Sequence, residues 1–263
     1  MIDLAEDWMI VLFATAGLHD FVDNSLKTIK RCGIDPAIVN VVFPARAISE
    51  FFGFVSGLGA KPRILEEVIG DLELGEMPNA YVEYGTPEFN RLMRARLPVI
   101  RALSRECKTI LCADVDIVWF VNPLPYLSEV LKKYPMAFQT EALPCFPPNF
   151  CAGFFALRCA PEGLDLIDAH IAEFSAASPY TMQMLLNRIV EENPRYLFNI
   201  FPLPEALFAN GLLHSAIATK DVNPSNLVSL LQPFTFHANF TIGIENKRNL
   251  LRRIGMWQIE TAN

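Results

Sequence analysis

Residues 109–121, Thr-Ile-Leu-Cys-Ala-Asp-Val-Asp-Ile-Val-Trp-Phe-Val, constrain the fold of this chain more than any other stretch. The run is built from β-branched, aromatic and small apolar residues, the pattern of a strand buried on both faces, and Asp114 and Asp116 interrupt it. A buried carboxylate is costly unless charge compensates it. A divalent cation compensates two such groups at once, and hard carboxylate oxygens suit Mg²⁺ or Mn²⁺. Open α/β sheets bind ligands at the C-terminal ends of their strands. Asp-Val-Asp therefore reads as a metal site closing a central strand. The competing reading is an ordinary strand followed by a polar turn, and the spacing alone does not separate the two.

With 263 residues the chain has ample material for a core, and 52% hydrophobic against 19% charged residues excludes a disordered protein. A net charge of −7 argues against nucleic acid as a partner, because phosphate binding needs a basic surface. The acidic N-terminus is unlike a signal peptide, and the apolar run Trp8 to Leu18 is shorter than the ~20 residues that span a bilayer. The expectation is a protein without a transmembrane segment, located in the cytoplasm. Six cysteines, Cys32, Cys107, Cys112, Cys145, Cys151 and Cys159, have no zinc-finger or CxxC spacing and read as reduced thiols.

Taken in order, Met9 to Ala14 is an apolar strand with a turn at Ala16-Gly17, and Phe21 to Arg31 carries helical spacing. Ile38 to Phe43 is a second strand, Ala47 to Leu58 a helix, and Arg63-Ile64-Leu65 a candidate third strand. This alternation predicts a parallel, helix-covered sheet. Residues 66–86 read as a loop with one short element, and Pro87 to Leu103 as an amphipathic helix rich in arginine. A short helix over Pro125 to Lys133 follows, then strands Met136 to Leu143 and Phe150 to Leu157, and a helix from Glu162 to Phe174. Ser178-Pro179 has the form of an N-cap and first helical residue, opening a helix with Met182, Leu185, Leu186, Ile189 and Val190 inward. Residues 193–236 read as irregular, and a basic helix occupies Asn246 to Arg253.

A metal held by carboxylates commonly serves phosphate-bearing substrates, and it needs a further ligand and a cation for the remaining charge. Both are available in Phe236 to Lys247. His237 offers a neutral imidazole, Gly243 a close backbone approach to phosphate, and Lys247 a point charge. A core histidine and a solvated helix face are the plain alternatives.

Three motifs occur in order: Cys-Ala-Asp-Val-Asp-Ile-Val-Trp-Phe-Val-Asn-Pro, Cys-Ala-Gly-Phe-Phe-Ala-Leu-Arg, and His-Ala-Asn-Phe-Thr-Ile-Gly, the last followed by Lys247 and Gly255-Met256-Trp257. Together they resemble the nucleotide-diphospho-sugar transferase family that includes plant cell-wall xylosyl- and arabinosyltransferases, recognisably over residues 84–257. The resemblance implies an α/β fold of the GT-A kind. A Rossmann-like mixed central sheet would be flanked by helices, with a smaller C-terminal acceptor-side region. One domain would span 1–263, its nucleotide-binding half to about residue 122 and its sugar and acceptor half from 123. It also implies Mn²⁺ or Mg²⁺ at Asp114 and Asp116, His237 as third ligand, and a nucleotide-sugar donor, expected to be a UDP-sugar. The acceptor would be a glycan or another hydroxyl compound, glycosylated with retention of configuration. Arg96, Asp114, Ala152, Gly153, Asn239, Gly243 and Lys247 would hold the donor, with Gln183 and Glu141 as the catalytic candidates. Two positions depart from the family pattern: Cys151 stands where Asn is usual, and Met182 precedes Gln183 where Asp is usual.

Three other readings fit parts of the sequence. Asp114-Val-Asp-Ile-Val also fits the nucleophile motif of haloacid dehalogenase phosphatases, but that motif belongs on a first strand and needs a late acidic cluster. A nucleotidyltransferase would use the same metal logic. A nucleotide-sugar-binding module with weak turnover would explain Cys151 and Met182.

Overall fold

In the computed structural model, residues 8–70, 81–141, 146–174, 180–212 and 231–259 are described. A seven-stranded sheet forms the centre, with strands in the order β3-β2-β1-β4-β7-β6-β8. Its strands are β1 (Trp8–Phe13), β2 (Val39–Phe43), β3 (Lys61–Ile64), β4 (Thr109–Asp114), β6 (Met136–Thr140), β7 (Phe150–Arg158) and β8 (Ile200–Leu203). β3, β2, β1 and β4 run parallel, β7 is antiparallel to both β4 and β6, and β8 pairs parallel with β6. The sheet is thus mixed, as the family resemblance implies, and the antiparallel β7 corrects the parallel sheet that the strand-helix alternation predicts.

Buried residues of β1 alternate between two cores, one on each face of the sheet. Trp8, Ile10 and Leu12 enter the first, which also takes α1 (His19–Arg31), α2 (Ile48–Gly57), α5 (Leu124–Leu131) and α8 (Ile244–Arg253). Met9, Val11 and Phe13 enter the second, covered by α4 (Pro87–Leu103), α6 (Pro161–Glu173) and α7 (Met182–Glu192). A short α3 (Leu65–Ile69) follows β3. Burial on both faces explains the continuous apolar runs of the inner strands.

Several expectations shift by a few residues. Leu65 opens α3 instead of ending β3. The long apolar run at 109–121 is divided: β4 ends at Asp114, a turn carries Val115 and Asp116, and β5 (Ile117–Trp119) joins a second sheet. That sheet, ordered β5-β10-β9, uses β9 (Phe208–Asn210) and β10 (Thr235–His237), with β10 antiparallel to β5 and parallel to β9. Residues 193–236 are therefore not simply irregular. They contribute β8 and β9, and β10 begins within them. These strands have only three or four residues, too few for periodicity to show. The Ser178-Pro179 cap lies outside the described residues; α7 begins at Met182 with the Thr181 hydroxyl accepting from the Met184 amide at 3.3 Å.

α1 is tied to α8 and to the residues that follow it. The Asn24 side chain donates to Met256 O at 3.0 Å and accepts from the Gln258 amide at 2.6 Å. Trp257 packs edge-on to Phe21 with ring centroids 5.1 Å apart, and Arg248 pairs with Asp20 at 2.5 Å. These contacts hold α8 against α1, which sets the position of Lys247.

Candidate metal and diphosphate site

β1 and β4 lie side by side with Phe13 and Asp114 in register at their C-terminal ends. β1 leads towards β2 on one side, and the order reverses at β4, so the crevice at these ends is a topological switch point. Asp114 closes β4 there. Asp116 follows in the turn, and the Ala238 amide donates to its carbonyl at 3.2 Å, bringing the end of β10 and His237 alongside.

The two carboxylates use their oxygens in the same divided way. Asp114 Oδ1 accepts from the Arg96 guanidinium, while its Oδ2 lies 3.5 Å from His237 Nε2. Asp116 Oδ2 pairs with Lys247 Nζ, while its Oδ1 lies 3.3 Å from the same Nε2. Among the described residues this trio is the only group of three or more His, Cys, Asp or Glu side chains that could hold a metal, its ligand atoms all within 4.8 Å of one another. Adjacent ligands of an octahedral ion such as Mg²⁺ or Mn²⁺, with bonds of about 2.1 Å, are about 3 Å apart, close to the 3.3 and 3.5 Å that separate His237 Nε2 from the two carboxylates. The two hard carboxylate oxygens match the chemistry of those ions.

Charge sets the protonation of these three groups. Burial alone would raise the pKa of Asp116, but Lys247 and His237 outweigh it and hold the carboxyl below its usual range. Asp114 is likewise lowered against the cost of burial, chiefly by Arg96 and His237. Burial would lower His237, yet the charge of Asp116 and hydrogen bonds to both aspartates push it well above its ordinary value. The two acids thus favour the charged form of the imidazole that lies between them.

Gln139 decides which nitrogen of His237 faces them. It is fully buried in β6, and its Nε2 donates to Phe208 O at 3.0 Å and Ala209 O at 3.1 Å. Its Oε1, left as a pure acceptor, sits 2.9 Å from His237 Nδ1. An amide oxygen cannot donate, so Nδ1 carries the proton and Nε2 points its lone pair into the site once the imidazole is neutral. Such outer partners orient metal-binding histidines generally. Nothing in the sequence marks Gln139: it is a single neutral amide inside a strand.

Gly153 makes the space. A Cβ there would collide with Asp114 Oδ2 and approach His237 Cε1 to 2.6 Å. Gly243, at φ 88°, occupies a backbone conformation that favours glycine and precedes α8, whose first-turn amides face the start of the helix.

The remaining predicted residues form a second, adjoining cluster. Glu141 is 6% exposed and follows β6. Gln183 donates to its Oε2 at 2.5 Å and Asn239 to its Oε1 at 2.8 Å, the arrangement of a carboxylate. Gln183 Oε1 accepts from the Ala152 amide at 3.1 Å, and Asn239 Oδ1 from the Gly211 amide at 2.8 Å. Both amide orientations are thereby settled. Arg96, 3% exposed, spends one nitrogen on Asp114 and another on Ala152 O at 3.0 Å, and it lies over the Phe13 ring. Cys151 links the clusters: its sulfur is 3.7 Å from His237 Nδ1 and accepts from the Gly153 amide at 3.3 Å. Burial pushes its pKa up to about 11, so it is a neutral thiol. Met182, 3% exposed, points into the core.

Residues 71–251, more than half of the chain, match the nucleotide-diphospho-sugar transferase family. The chain belongs to that family. Its fold is that of the GT-A glycosyltransferases. The structure of mouse xyloside xylosyltransferase 1 in its apo form is similar at 12% identity and a TM-score of 0.55, over 90% of this chain and 99% of that one. Galactosyltransferase LgtC, solved with donor and acceptor sugar analogues, is similar at 13% identity and a TM-score of 0.55, over 96% and 97% of the two chains. No curated protein sequence matches this family member. Among its described residues, no helix is long and apolar enough to cross a membrane.

Proposed function

We propose that this family member transfers a sugar from a nucleotide-diphosphate sugar, a UDP-sugar, to a hydroxyl of a glycan or similar acceptor with retention of configuration. The observation that carries the reading is the convergence of Asp114 Oδ2, Asp116 Oδ1 and His237 Nε2 on one space that Gly153 keeps open. In this proposal Asp114, Asp116 and His237 would hold Mn²⁺ or Mg²⁺, which would supply positive charge to offset that of the diphosphate. Lys247 turns from Asp116 towards the diphosphate, and Gly243 lets the α8 amides approach it. Arg96 acts by holding Asp114 and the Ala152 carbonyl, behind the donor.

Transfer breaks the bond from the anomeric carbon to the diphosphate oxygen and builds positive charge on that carbon. The buried Glu141 carboxylate, oriented by Gln183 and Asn239, offsets that charge. The acceptor oxygen bonds the same face, and its proton passes to the departing diphosphate. A double displacement would instead make Glu141 the nucleophile, as a retaining glycosidase uses a carboxylate. Both Glu141 oxygens are engaged by amide donors, which favours the charge-stabilising role.

A second reading has its own support. The thiol of Cys151 and the inward-facing Met182 leave two positions without hydroxyl-binding groups, which suits a nucleotide-sugar-binding module of low turnover. Screening nucleotide sugars for Mn²⁺-dependent thermal stabilisation and for slow hydrolysis separates the two. Stabilisation with sugar release or transfer supports the enzyme, and product NMR then reads the anomeric configuration. Stabilisation without turnover of any donor supports the binding module.

A further inference from the structure

At the end of the sheet opposite Asp114 and Gly153, two thiols meet. Cys107 lies in the turn between α4 and β4, and Cys159 directly follows β7. The two strands pair antiparallel with Thr109 opposite Arg158, and the Cys159 amide donates to Lys108 O at 2.8 Å, so the backbone holds both turns together. The sulfurs are 3.9 Å apart, and both residues are half-buried, within reach of small reagents. Cys112 and Cys151, by contrast, are sealed in the core.

We propose that Cys107 and Cys159 form a reversible disulfide by exchange with low-molecular-weight disulfides such as oxidised glutathione. Bond formation needs the sulfurs to close to about 2 Å, a movement assigned here to side-chain rotation of these two residues with the backbone pairing kept. The order of events follows from the pair. Either sulfur can donate to the other, and this shared hydrogen bond lowers the Cys107 pKa against burial, so Cys107 is taken as the attacking thiolate. Cys107 attacks one glutathione sulfur and expels the first glutathione thiolate. Cys159 then gives its proton to water and attacks the Cys107 sulfur, expelling the second. Two protein thiols are oxidised, and one glutathione disulfide is reduced to two glutathiones.

The closed loop spans 52 positions and contains β4 to β7, the strands that carry Asp114, Gln139 and Gly153. Cross-linking such a loop restricts the unfolded chain, and the expected rise in melting temperature is about 5–10 °C. The test incubates the full chain with excess oxidised glutathione and maps its peptides without reduction. The expected result is a Cys107–Cys159 linked peptide, a mass about 2 Da lower from the two lost hydrogens, the raised melting temperature, and reversal by dithiothreitol. Cys107→Ser and Cys159→Ser, each shown folded by circular dichroism, should both lose the shift, whereas Cys32→Ser should keep it. An unchanged thiol count, a lasting glutathione adduct on either residue, or a disulfide to another cysteine overturns the proposal.

Discussion

Replacing Gln139 tests whether His237 is a prepared ligand or only a buried histidine. In Gln139→Leu the imidazole Nδ1–H loses its acceptor, and the Phe208 and Ala209 carbonyls lose a donor. The sulfur of Cys151, at 3.7 Å, is a weak substitute. Each buried polar group left unpaired costs about 1–3 kcal/mol, and the carbonyls retain a second lone pair, so the expected loss of stability is about 2–4 kcal/mol. Outer partners of metal-bound histidines are typically worth 10–100-fold in affinity, or about 1.4–2.7 kcal/mol, and Mn²⁺ binding should weaken by that factor. Gln139→Glu separates the two effects. Its carboxylate still accepts from Nδ1–H but faces two carbonyls, so stability falls further while Mn²⁺ affinity stays nearer that of the parent. Paramagnetic resonance titration of Mn²⁺ reads the affinity, and ¹⁵N spectra of the imidazole with diamagnetic Mg²⁺ read the tautomer. A folded Gln139→Leu protein that binds Mn²⁺ within twofold of the parent would refute the reasoning.

Three further outcomes follow from the same geometry. Gly153→Ala places a methyl group against Asp114 and His237; overpacking costs about 1–3 kcal/mol, and Mn²⁺ binding measured calorimetrically should drop at least tenfold even where the protein stays folded. In the metal-free protein the raised His237 pKa adds stability below about pH 6.5 that disappears as pH rises through its folded value. The lowered pKa values of Asp114 and Asp116 add stability above about pH 4 that disappears as pH falls. Thermal melts should therefore peak between those limits, and Mn²⁺ affinity should climb with pH as binding releases the His237 proton. Glu141→Gln should leave Mn²⁺ and UDP binding near that of the parent and lower turnover by 10²-fold or more, on the order expected for one oriented group acting on transition-state charge; a trapped glycosyl-enzyme at Glu141 in the parent would contradict the same-face route.

Much of this site was readable from residue types, and the reason is electrostatic. Two acids inside an apolar run demand compensation, and His237 and Lys247 were candidates to supply it wherever the chain folded back. The sheet alternation was legible because β1, β2 and β4 are buried on both faces and their runs stay apolar. What escaped had no local signal. Gln139 is an unremarkable amide within Met136–Thr140, and only the return of β9 and β10 gives it carbonyls and a histidine to hold. Asn24 meets Met256 and Gln258 across more than 230 positions. The strands β8 and β9 are too short, and too rich in proline and phenylalanine context, to register as a period. Arg96 reads from the sequence as a cation for the donor, and only the fold shows that its guanidinium pairs with Asp114 and the Ala152 carbonyl.

The central claim is that Asp114, Asp116 and His237 bind a dication that recruits a nucleoside diphosphate. Calorimetric titration of UDP into the protein, with and without saturating Mn²⁺, measures this directly. The account predicts tight UDP binding only with Mn²⁺, lost in Asp114→Asn and Asp116→Asn proteins that still fold. Equal UDP affinity with and without Mn²⁺, or full Mn²⁺-dependent binding in the double Asp114→Asn, Asp116→Asn protein, would contradict it.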